Sequence, residues 1–186
     1  MDEGSARLFT ALWPDAAVRT RLAVLRDAWR WPEGVRPVAD ANLHLTLHYL
    51  GAFARARLPQ LEQRLTALPA QRMCLHADVP EIWRGGIAVL RVAVDPALAA
   101  LHQEIGGALA SLGVALDARP FAPHVTMARR ARGAVAPAAP AALEWPASSF
   151  VLVESVAGPE PCYRVLRSFG DADADAVAAS ERLTRP

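Results

Sequence analysis

The chain has 186 residues, of which 53% are hydrophobic and 21% are charged, and its formal net charge is +1. This composition can build a globular core, and it excludes an intrinsically disordered chain and a broad, strongly basic surface for nucleic acid. The sequence contains no lysine, so each of its 20 basic residues is an arginine, whose planar guanidinium suits phosphate oxygens. The two cysteines are far apart, and neither a signal peptide nor a membrane-spanning run is recognisable. We therefore expect a cytoplasmic protein without membrane contacts.

Strands and helices alternate along the first half of the chain. A strand is predicted over residues 7–13, and Asp15 is expected to cap a following helix that ends near Trp29. After a segment interrupted by proline and glycine, the alternating residues 42–51 predict a second strand. Leucines at helical spacing then predict a helix over residues 58–68.

The second half of the chain continues this alternation. Strands are predicted over residues 74–79 and 87–94, and a helix over residues 97–112 ends at Gly113. The segment PFAPHVTMAR predicts a strand that is entered through Pro123. The remaining expectations are a flexible loop over residues 131–140, a closing hairpin with strands 150–155 and 163–169, and a frayed or helical tail from Asp171 onward.

Two segments of the chain share one order of elements. RLFTALWPD leads through a helix to HLTL, and AVLRVAVDP leads through a helix to HVTM. The spacing is also similar, with 30 residues from Pro14 to His44 and 28 residues from Pro96 to His124. Divergent copies of this kind predict two similar α+β lobes that are related by a pseudo-twofold axis and enclose a cleft. We expect one bilobal domain over residues 1–186, with the repeat at about 6–80 and 86–130 and the closing hairpin at 150–169.

Each copy of the repeat carries a His-x-Thr motif on its last strand. Residues two apart in a strand point to the same face, so His44 lies beside Thr46, and His124 lies beside Thr126. With six threonines in the chain, two such motifs among five histidines are expected by chance only about 1% of the time. An imidazole can give or take a proton near neutral pH, and a hydroxyl can donate a hydrogen bond to an oxyanion. The two motifs therefore predict an acid–base site in the cleft.

At these residues the sequence resembles the two-histidine (2H) phosphoesterase superfamily, specifically the bacterial RNA 2′,3′-cyclic phosphodiesterases once described as 2′-5′ RNA ligases. The resemblance covers nearly the whole chain, through RLFTALWPD, LHLTLHYLG, FAPHVTMAR and VLVESVAGPEPCYRVLRSF, and both His-x-Thr-x tetrads are intact. It implies an α+β fold of two pseudo-symmetric lobes, each an antiparallel sheet with helices on its outer face, and an active-site cleft between the lobes. It also implies a reaction that needs neither a metal ion nor a cofactor.

The resemblance assigns roles to the four motif residues. His44 is implied to be the proton donor to the departing 3′-oxygen and His124 the proton acceptor from water, so that the product keeps a 2′-phosphate. Thr46 and Thr126 are implied to hold the nonbridging oxygens of the phosphate. The residues themselves leave the donor and acceptor roles open, because the two halves look alike. The reverse reaction would join a 5′-hydroxyl to the cyclic end as a 2′-5′ linkage.

Three further residues are candidates for substrate binding. Arg129 lies three residues after Thr126, so a regular strand would point it to the opposite face, whereas a bend at the strand end would bring it to the phosphate. A surface ion pair is the alternative for Arg129. In the resemblance, Phe9 can stack on the terminal base, with core packing as the alternative, and Tyr163 can face the cleft.

His48 is the remaining histidine near the first motif. It lies four residues after His44, which places it on the same face of a regular strand. A metal site made of His44, His48 and His124 is conceivable, but no carboxylate accompanies them at ligand spacing. We therefore expect no metal site.

The expected substrates are RNA ends or short oligonucleotides that carry a 2′,3′-cyclic phosphate, and we expect a monomer. Two alternatives stay open. The same chemistry would also serve a small cyclic nucleotide or a 2′-5′ oligonucleotide, since the near-neutral charge fits a short substrate as well as a long RNA. A noncatalytic RNA- or nucleotide-binding module is the other alternative, although binding alone needs no acid–base pair.

Overall fold

The computed structural model of the chain describes residues 4–69, 72–138, 141–156, 158 and 162–170. In these ranges the strands and α-helices are, in chain order, β1 Ser5–Leu12, α1 Ala16–Asp27, β2 Leu45–Ala54, α2 Leu58–Thr66, β3 Met73–Trp83, β4 Ile87–Val92, α3 Pro96–Ser111, β5 His124–Ala128, β6 Leu143–Ala147, β7 Ser149–Val156 and β8 Cys162–Gly170. Within the same ranges, none of the helices has the length and apolar character needed to cross a bilayer. The tail predicted from Asp171 lies outside the described residues.

The strands form one antiparallel sheet in the order β6-β3-β4-β5-β2-β1-β7-β8. At its centre, β2 and β5 are joined by the pairing of Leu45 with Val125, and each side of this junction is a four-stranded half. We call β2-β1-β7-β8 the first lobe and β5-β4-β3-β6 the second lobe. The unit β1-α1-β2 and the unit β4-α3-β5 occupy matching places on the two sides. The prediction of an α+β fold with two pseudo-symmetric antiparallel lobes is therefore confirmed.

The helices cross from one lobe to the other. Helix α1 packs against β6 of the second lobe, and Arg21 on α1 donates hydrogen bonds to the carbonyl oxygens of Glu144 and Ala142. Helix α2 packs against β8 and against α3, and α3 packs against β2 of the first lobe. Each helix buries its apolar side in one large core that both lobes share. The crossing helices thus tie the two lobes together across the narrow strand junction.

The sheet has a second, smaller apolar cluster on the face opposite the helices. Phe9 and Ala11 of β1 pack there with Val151 and Val153 of β7, and Tyr163 lies against them. Alternation explains the division, since Leu8 and Leu12 of the same strand point into the large core. This face carries the candidate site.

The first helix of each repeat copy begins after an aspartate that caps it. The Asp15 carboxylate accepts a hydrogen bond from the backbone N–H of Val18 at 2.8 Å, as predicted, and Asp95 caps α3 by accepting from Ala97 at 2.7 Å. Strand β6 was not predicted from the sequence. It follows an alanine- and proline-rich segment and contains Pro146, which an edge strand tolerates because one side of it has no ladder to complete.

Candidate active site

The pairing of Leu45 with Val125 brings the two His-x-Thr motifs together. Since β2 and β5 run antiparallel, this register sets His44 across from Thr126, and it sets Thr46 across from His124. The two histidines therefore lie on a diagonal, and standard strand dimensions put their Cα atoms roughly 8 Å apart. This arrangement leaves space for a small group between the two imidazoles.

One cavity of about 460 Å³ is lined by all four motif side chains, His44, Thr46, His124 and Thr126. Its volume lies in the range of pockets that hold small-molecule ligands. Phe9, Arg129 and Tyr163, the three other residues singled out from the sequence, line the same cavity. The structure thus brings every sequence-predicted site residue to one place.

A backbone carbonyl orients each of the two imidazoles. Nδ1 of His44 lies 2.7 Å from the carbonyl oxygen of Asn42, and Nδ1 of His124 lies 2.8 Å from that of Ala122. A carbonyl can only accept, so Nδ1 of each ring carries a hydrogen and donates it. In the neutral rings Nε2 is then the basic nitrogen. Nε2 of His44 accepts a hydrogen bond from the Thr46 hydroxyl at 3.1 Å.

The surroundings of both histidines favour the neutral imidazole. The pKa of His44 is lowered to about 4, chiefly by burial, while the hydrogen bond to Asn42 opposes the shift and the charges of His124 and Arg129 add to it. Burial also lowers the pKa of His124, and the charge of Arg129 acts in the same direction. In the unliganded protein at neutral pH both rings are therefore neutral. An anion between them would offset the repulsion and raise both pKa values.

Aromatic rings enclose His44 on several sides. The ring centroid of Trp13 lies 5.4 Å from that of His44 in a stacked arrangement, and Phe9 lies at 5.0 Å. Tyr163 meets the imidazole edge-on at 5.2 Å. The ring centroid of Trp83 lies 4.3 Å from that of His124. These contacts exclude water from one side of His44 and fix the plane of its ring.

Two matching β-bulges follow the two motifs. In β2 the register with β1 shifts by one residue directly after Thr46, and Leu47 is the extra residue. In β5 the register with β4 shifts directly after Thr126, and Met127 is the extra residue. A bulge reverses the alternation of side chains along its strand. The residue three positions after each threonine is therefore returned to the cavity face.

These bulges decide the positions of three side chains. Arg129, three residues after Thr126, lines the cavity because of the bulge in β5. Tyr49 occupies the equivalent position of the first lobe and lines the cavity as well. The expectation that His48 shares a face with His44 was wrong, because the bulge at Leu47 turns His48 into the core, where Nε2 donates to the carbonyl oxygen of His102 at 2.8 Å.

Several residues that line the cavity, among them Tyr49, Arg36 and Asn42, were not singled out from the sequence. Tyr49 was not predicted to line the cavity, because regular alternation without a bulge would place it on the face opposite His44. Arg36 comes from the segment between α1 and β2, and Asn42 comes from the turn before β2. Irregular segments have no periodicity from which a side-chain direction can be derived, so only the three-dimensional structure places these two residues.

In the described ranges, no three His, Cys, Asp or Glu side chains are grouped so that they could share a metal ion. His48 is separated from His44 and His124 by the sheet itself, since it points to the opposite face.

Comparisons with known proteins agree with this arrangement. A family model described as the 2′-5′ RNA ligase superfamily matches residues 14–157, which include both motifs. The RNA 2′,3′-cyclic phosphodiesterase of Thermus thermophilus is 35% identical over 181 residues, covering 88% of this chain and 89% of that protein. The protein of the same name from Escherichia coli K12 is 32% identical over 131 residues, covering 69% of this chain and 74% of that protein.

Solved structures share the fold over almost their whole length. The structure of Escherichia coli LigT complexed with 3′-AMP has a TM-score of 0.79 at 28% identity, covering 90% of this chain and 99% of that chain. The structure of TT0787 of Thermus thermophilus has a TM-score of 0.75 at 28% identity, covering 88% of this chain and 97% of that chain. The bilobal arrangement around the cavity is thus similar to that of solved proteins.

Proposed function

Because the chain belongs to the 2′-5′ RNA ligase superfamily, we propose that it hydrolyses terminal 2′,3′-cyclic phosphates on RNA and leaves a 2′-phosphate. The observation that carries this proposal is the pair of oriented imidazoles, His44 and His124, on opposite sides of one cavity. Relatives from two bacteria carry the name of this activity. A binding module would need no second imidazole held in the same tautomer.

The proposed reaction is an in-line displacement at phosphorus. Water attacks the phosphorus atom and gives a proton to Nε2 of His124, while the bond from phosphorus to the 3′-oxygen breaks. The departing 3′-oxygen takes a proton from Nε2 of His44, so a 3′-hydroxyl and a 2′-phosphate result. Attacking and leaving oxygens lie on opposite sides of phosphorus, and the diagonal placement of the two histidines suits that requirement.

In this scheme His44 must be protonated before it can act. The pKa of about 4 in the free protein makes the protonated form rare at neutral pH. The negative charge of the bound phosphate raises that pKa, so His44 takes up its proton together with the substrate. His124 must stay neutral in the complex to act as the base, and burial, which lowers its pKa in the free protein, favours that form.

The other cavity residues hold the substrate. The hydroxyls of Thr46 and Thr126 donate hydrogen bonds to the nonbridging oxygens, and the guanidinium of Arg129 neutralises their charge. Phe9 and Tyr163 provide an aromatic wall for the terminal nucleoside beside His44.

The chain is proposed to work as a single domain of two lobes. The cavity takes side chains from both lobes of one copy, so a monomer contains every residue of the proposed site. Its location in the cytoplasm stays a prediction from the sequence.

The test is hydrolysis of an oligoribonucleotide that ends in a 2′,3′-cyclic phosphate, by purified protein in an excess of chelator. We expect turnover with the phosphate on the 2′-oxygen, assigned by phosphorus NMR or by resistance to a 3′-specific phosphatase. Turnover that requires an added divalent ion would contradict acid–base catalysis by the two histidines. Binding of the oligonucleotide without turnover would favour the noncatalytic module, and turnover of only small cyclic nucleotides would favour the other alternative.

A further inference from the structure

Tyr49 and Arg7 form a paired polar group at one end of the cavity. Tyr49 lines the cavity and is 50% exposed. Arg7 on β1 donates two hydrogen bonds to its hydroxyl oxygen, from Nε at 3.1 Å and from a terminal nitrogen at 2.6 Å. The guanidinium also lies 5.9 Å from the centre of the tyrosine ring. The arginine therefore holds the phenol in one orientation at the cavity wall.

This pairing leaves hydrogen-bond donors available. Since both bonds from Arg7 end on the hydroxyl oxygen, the phenolic hydrogen has to be donated to a different acceptor. Within the residues that the structure describes, no acceptor for that hydrogen is found, and no carboxylate pairs with Arg7. A hydroxyl backed by a guanidinium and turned to a cavity suits an anionic oxygen, since charge-assisted hydrogen bonds are the stronger ones.

The pseudo-symmetry of the molecule supports the same reading. Tyr49 stands three residues after Thr46, as Arg129 stands three residues after Thr126, and a bulge turns each of them to the cavity. Each lobe thus presents a cationic group near its own end of the cavity, Arg129 directly and Arg7 through Tyr49. A single phosphate between the histidines would account for Arg129 but not for Arg7.

The position of Tyr49 and Arg7 along the sheet indicates which part of a substrate would reach them. Phe9 pairs with Tyr49, and Arg7 lies two residues before Phe9 on the same face, about 7 Å farther from His44. Suppose that the cyclic phosphate of a terminal nucleotide lies between the histidines and that its nucleoside lies against Phe9. The 5′ side of this nucleotide then extends toward Tyr49. In an oligonucleotide that 5′ side carries a phosphodiester.

We infer that Tyr49 and Arg7 form a subsite for the phosphate on the 5′ side of the terminal nucleotide. The phenolic hydroxyl and a guanidinium N–H donate to its nonbridging oxygens. The inference rests on the proposed function and deepens it, since it makes an oligoribonucleotide, rather than a mononucleoside cyclic phosphate, the preferred substrate class.

The test compares three substrates with the same terminal base: a nucleoside 2′,3′-cyclic phosphate, its 5′-phosphorylated form, and a dinucleotide with the same cyclic end. We expect kcat/KM to be about 10-fold higher for the second and third substrates than for the first, and this advantage to shrink with added salt. In Arg7→Gln and Tyr49→Phe the ratio of dinucleotide to mononucleoside kcat/KM falls toward 1. The matched control is Arg64→Gln, which removes the same charge from an exposed position on α2, across the sheet from the cavity.

Three results would overturn the inference. The first is equal kcat/KM for the three substrates. The second is a higher kcat/KM for the dinucleotide that both variants retain. The third is a higher kcat/KM for the dinucleotide but not for the 5′-phosphorylated nucleoside, which would indicate stacking of a second nucleoside instead of phosphate binding. If none of the three substrates is hydrolysed, the proposed function fails by itself. Titration calorimetry then tests the subsite separately, with a dinucleotide 2′-phosphate and a nucleoside 2′-phosphate as ligands. Tighter binding of the dinucleotide that is lost in Arg7→Gln supports the subsite, and equal binding of the two ligands rejects it.

Discussion

Leu45 pairs with Val125 across the centre of the sheet, and both side chains are fully buried while the residues on either side of them face the cavity. The side chains of Leu45 and Val125 pack into the core that both lobes share. The two histidines and the two threonines lie on the opposite face of the sheet and line the cavity. The geometry of the site is therefore set by one strand junction, which the crossing helices hold in place from behind. Catalysis by such an arrangement depends on both lobes at once.

Replacing either histidine should remove most turnover. We expect His44→Ala and His124→Ala each to lower kcat by about 10²–10⁴-fold, because each deletes one proton-transfer group. The double variant should cost little more than the worse single variant, since the two rings act as one unit. His76→Ala, on an exposed position of β3, is the matched control and should keep the native rate. A single variant with near-native kcat, folded by circular dichroism, would show that the acid–base assignment is wrong.

The pH profile should differ between the free protein and the complex. The reaction needs one protonated and one neutral imidazole, and both pKa values are lowered in the free protein, that of His44 to about 4. Above both values the competent form declines tenfold per pH unit, so kcat/KM should fall with a slope of −1 as pH rises through 7 and 8. Bound phosphate raises the pKa of His44, which should move the alkaline limb of kcat to higher pH than that of kcat/KM. Coincident limbs would mean that substrate binding does not protonate His44.

The two threonines should matter less than the histidines. We expect Thr46→Val and Thr126→Val each to lower kcat/KM by roughly 10-fold, because each removes one hydroxyl contact to a charged oxygen. Thr→Ser at either position keeps the hydroxyl and should restore most of the rate. If valine and serine variants lose the same activity, the methyl packing of these side chains, and not their hydroxyls, would be what the site requires.

The sequence was sufficient for the parts of the site that follow from strand alternation. The His-x-Thr motifs, their place in a repeat and their resemblance to a family predicted two lobes around one cleft, and the family assignment is confirmed by the match over residues 14–157. Alternation failed where a bulge interrupts it. Leu47 and Met127 are ordinary apolar residues, and nothing in their type marks them as the extra residue of a strand.

Other features depend on contacts that only the fold creates. The pairing of Arg7 with Tyr49 joins residues 42 positions apart, and the bond from Arg21 of α1 to the carbonyl oxygen of Glu144 in the second lobe joins residues 123 positions apart. Strand β6 pairs with β3, about 70 residues earlier in the chain, and its own composition gives only a weak strand signal. Long-range pairing of this kind has no local signature in a single sequence.

Two adjacent glycines on α3 offer a test of how tightly the core supports β2. A Cβ at Gly106 would lie 3.3 Å from Cε1 and 3.4 Å from Nε2 of the His48 ring, whereas a Cβ at Gly107 would meet nothing within 4 Å. The His48 ring cannot easily move aside, because it is stacked on His102 at 4.0 Å and bonded to the carbonyl oxygen of that residue. Both substitutions by alanine gain the same helix propensity, so the difference between them reports the packing at Gly106, where the His48 ring is closer than ordinary contact and Leu116 lies at an ordinary 3.5 Å.

We expect opposite effects on the free energy of unfolding. Gly107→Ala should raise it by about 0.5–1 kcal/mol, since alanine restricts the unfolded chain and favours the helix. Gly106→Ala should lower it by about 1 kcal/mol, because overpacking against His48 outweighs that gain. Urea denaturation of the two variants beside the parent protein measures both values. Equal stabilisation by both would mean that the His48 ring yields. In that case the strand that carries Thr46, two residues before His48, is held less rigidly from the core side than its contacts indicate.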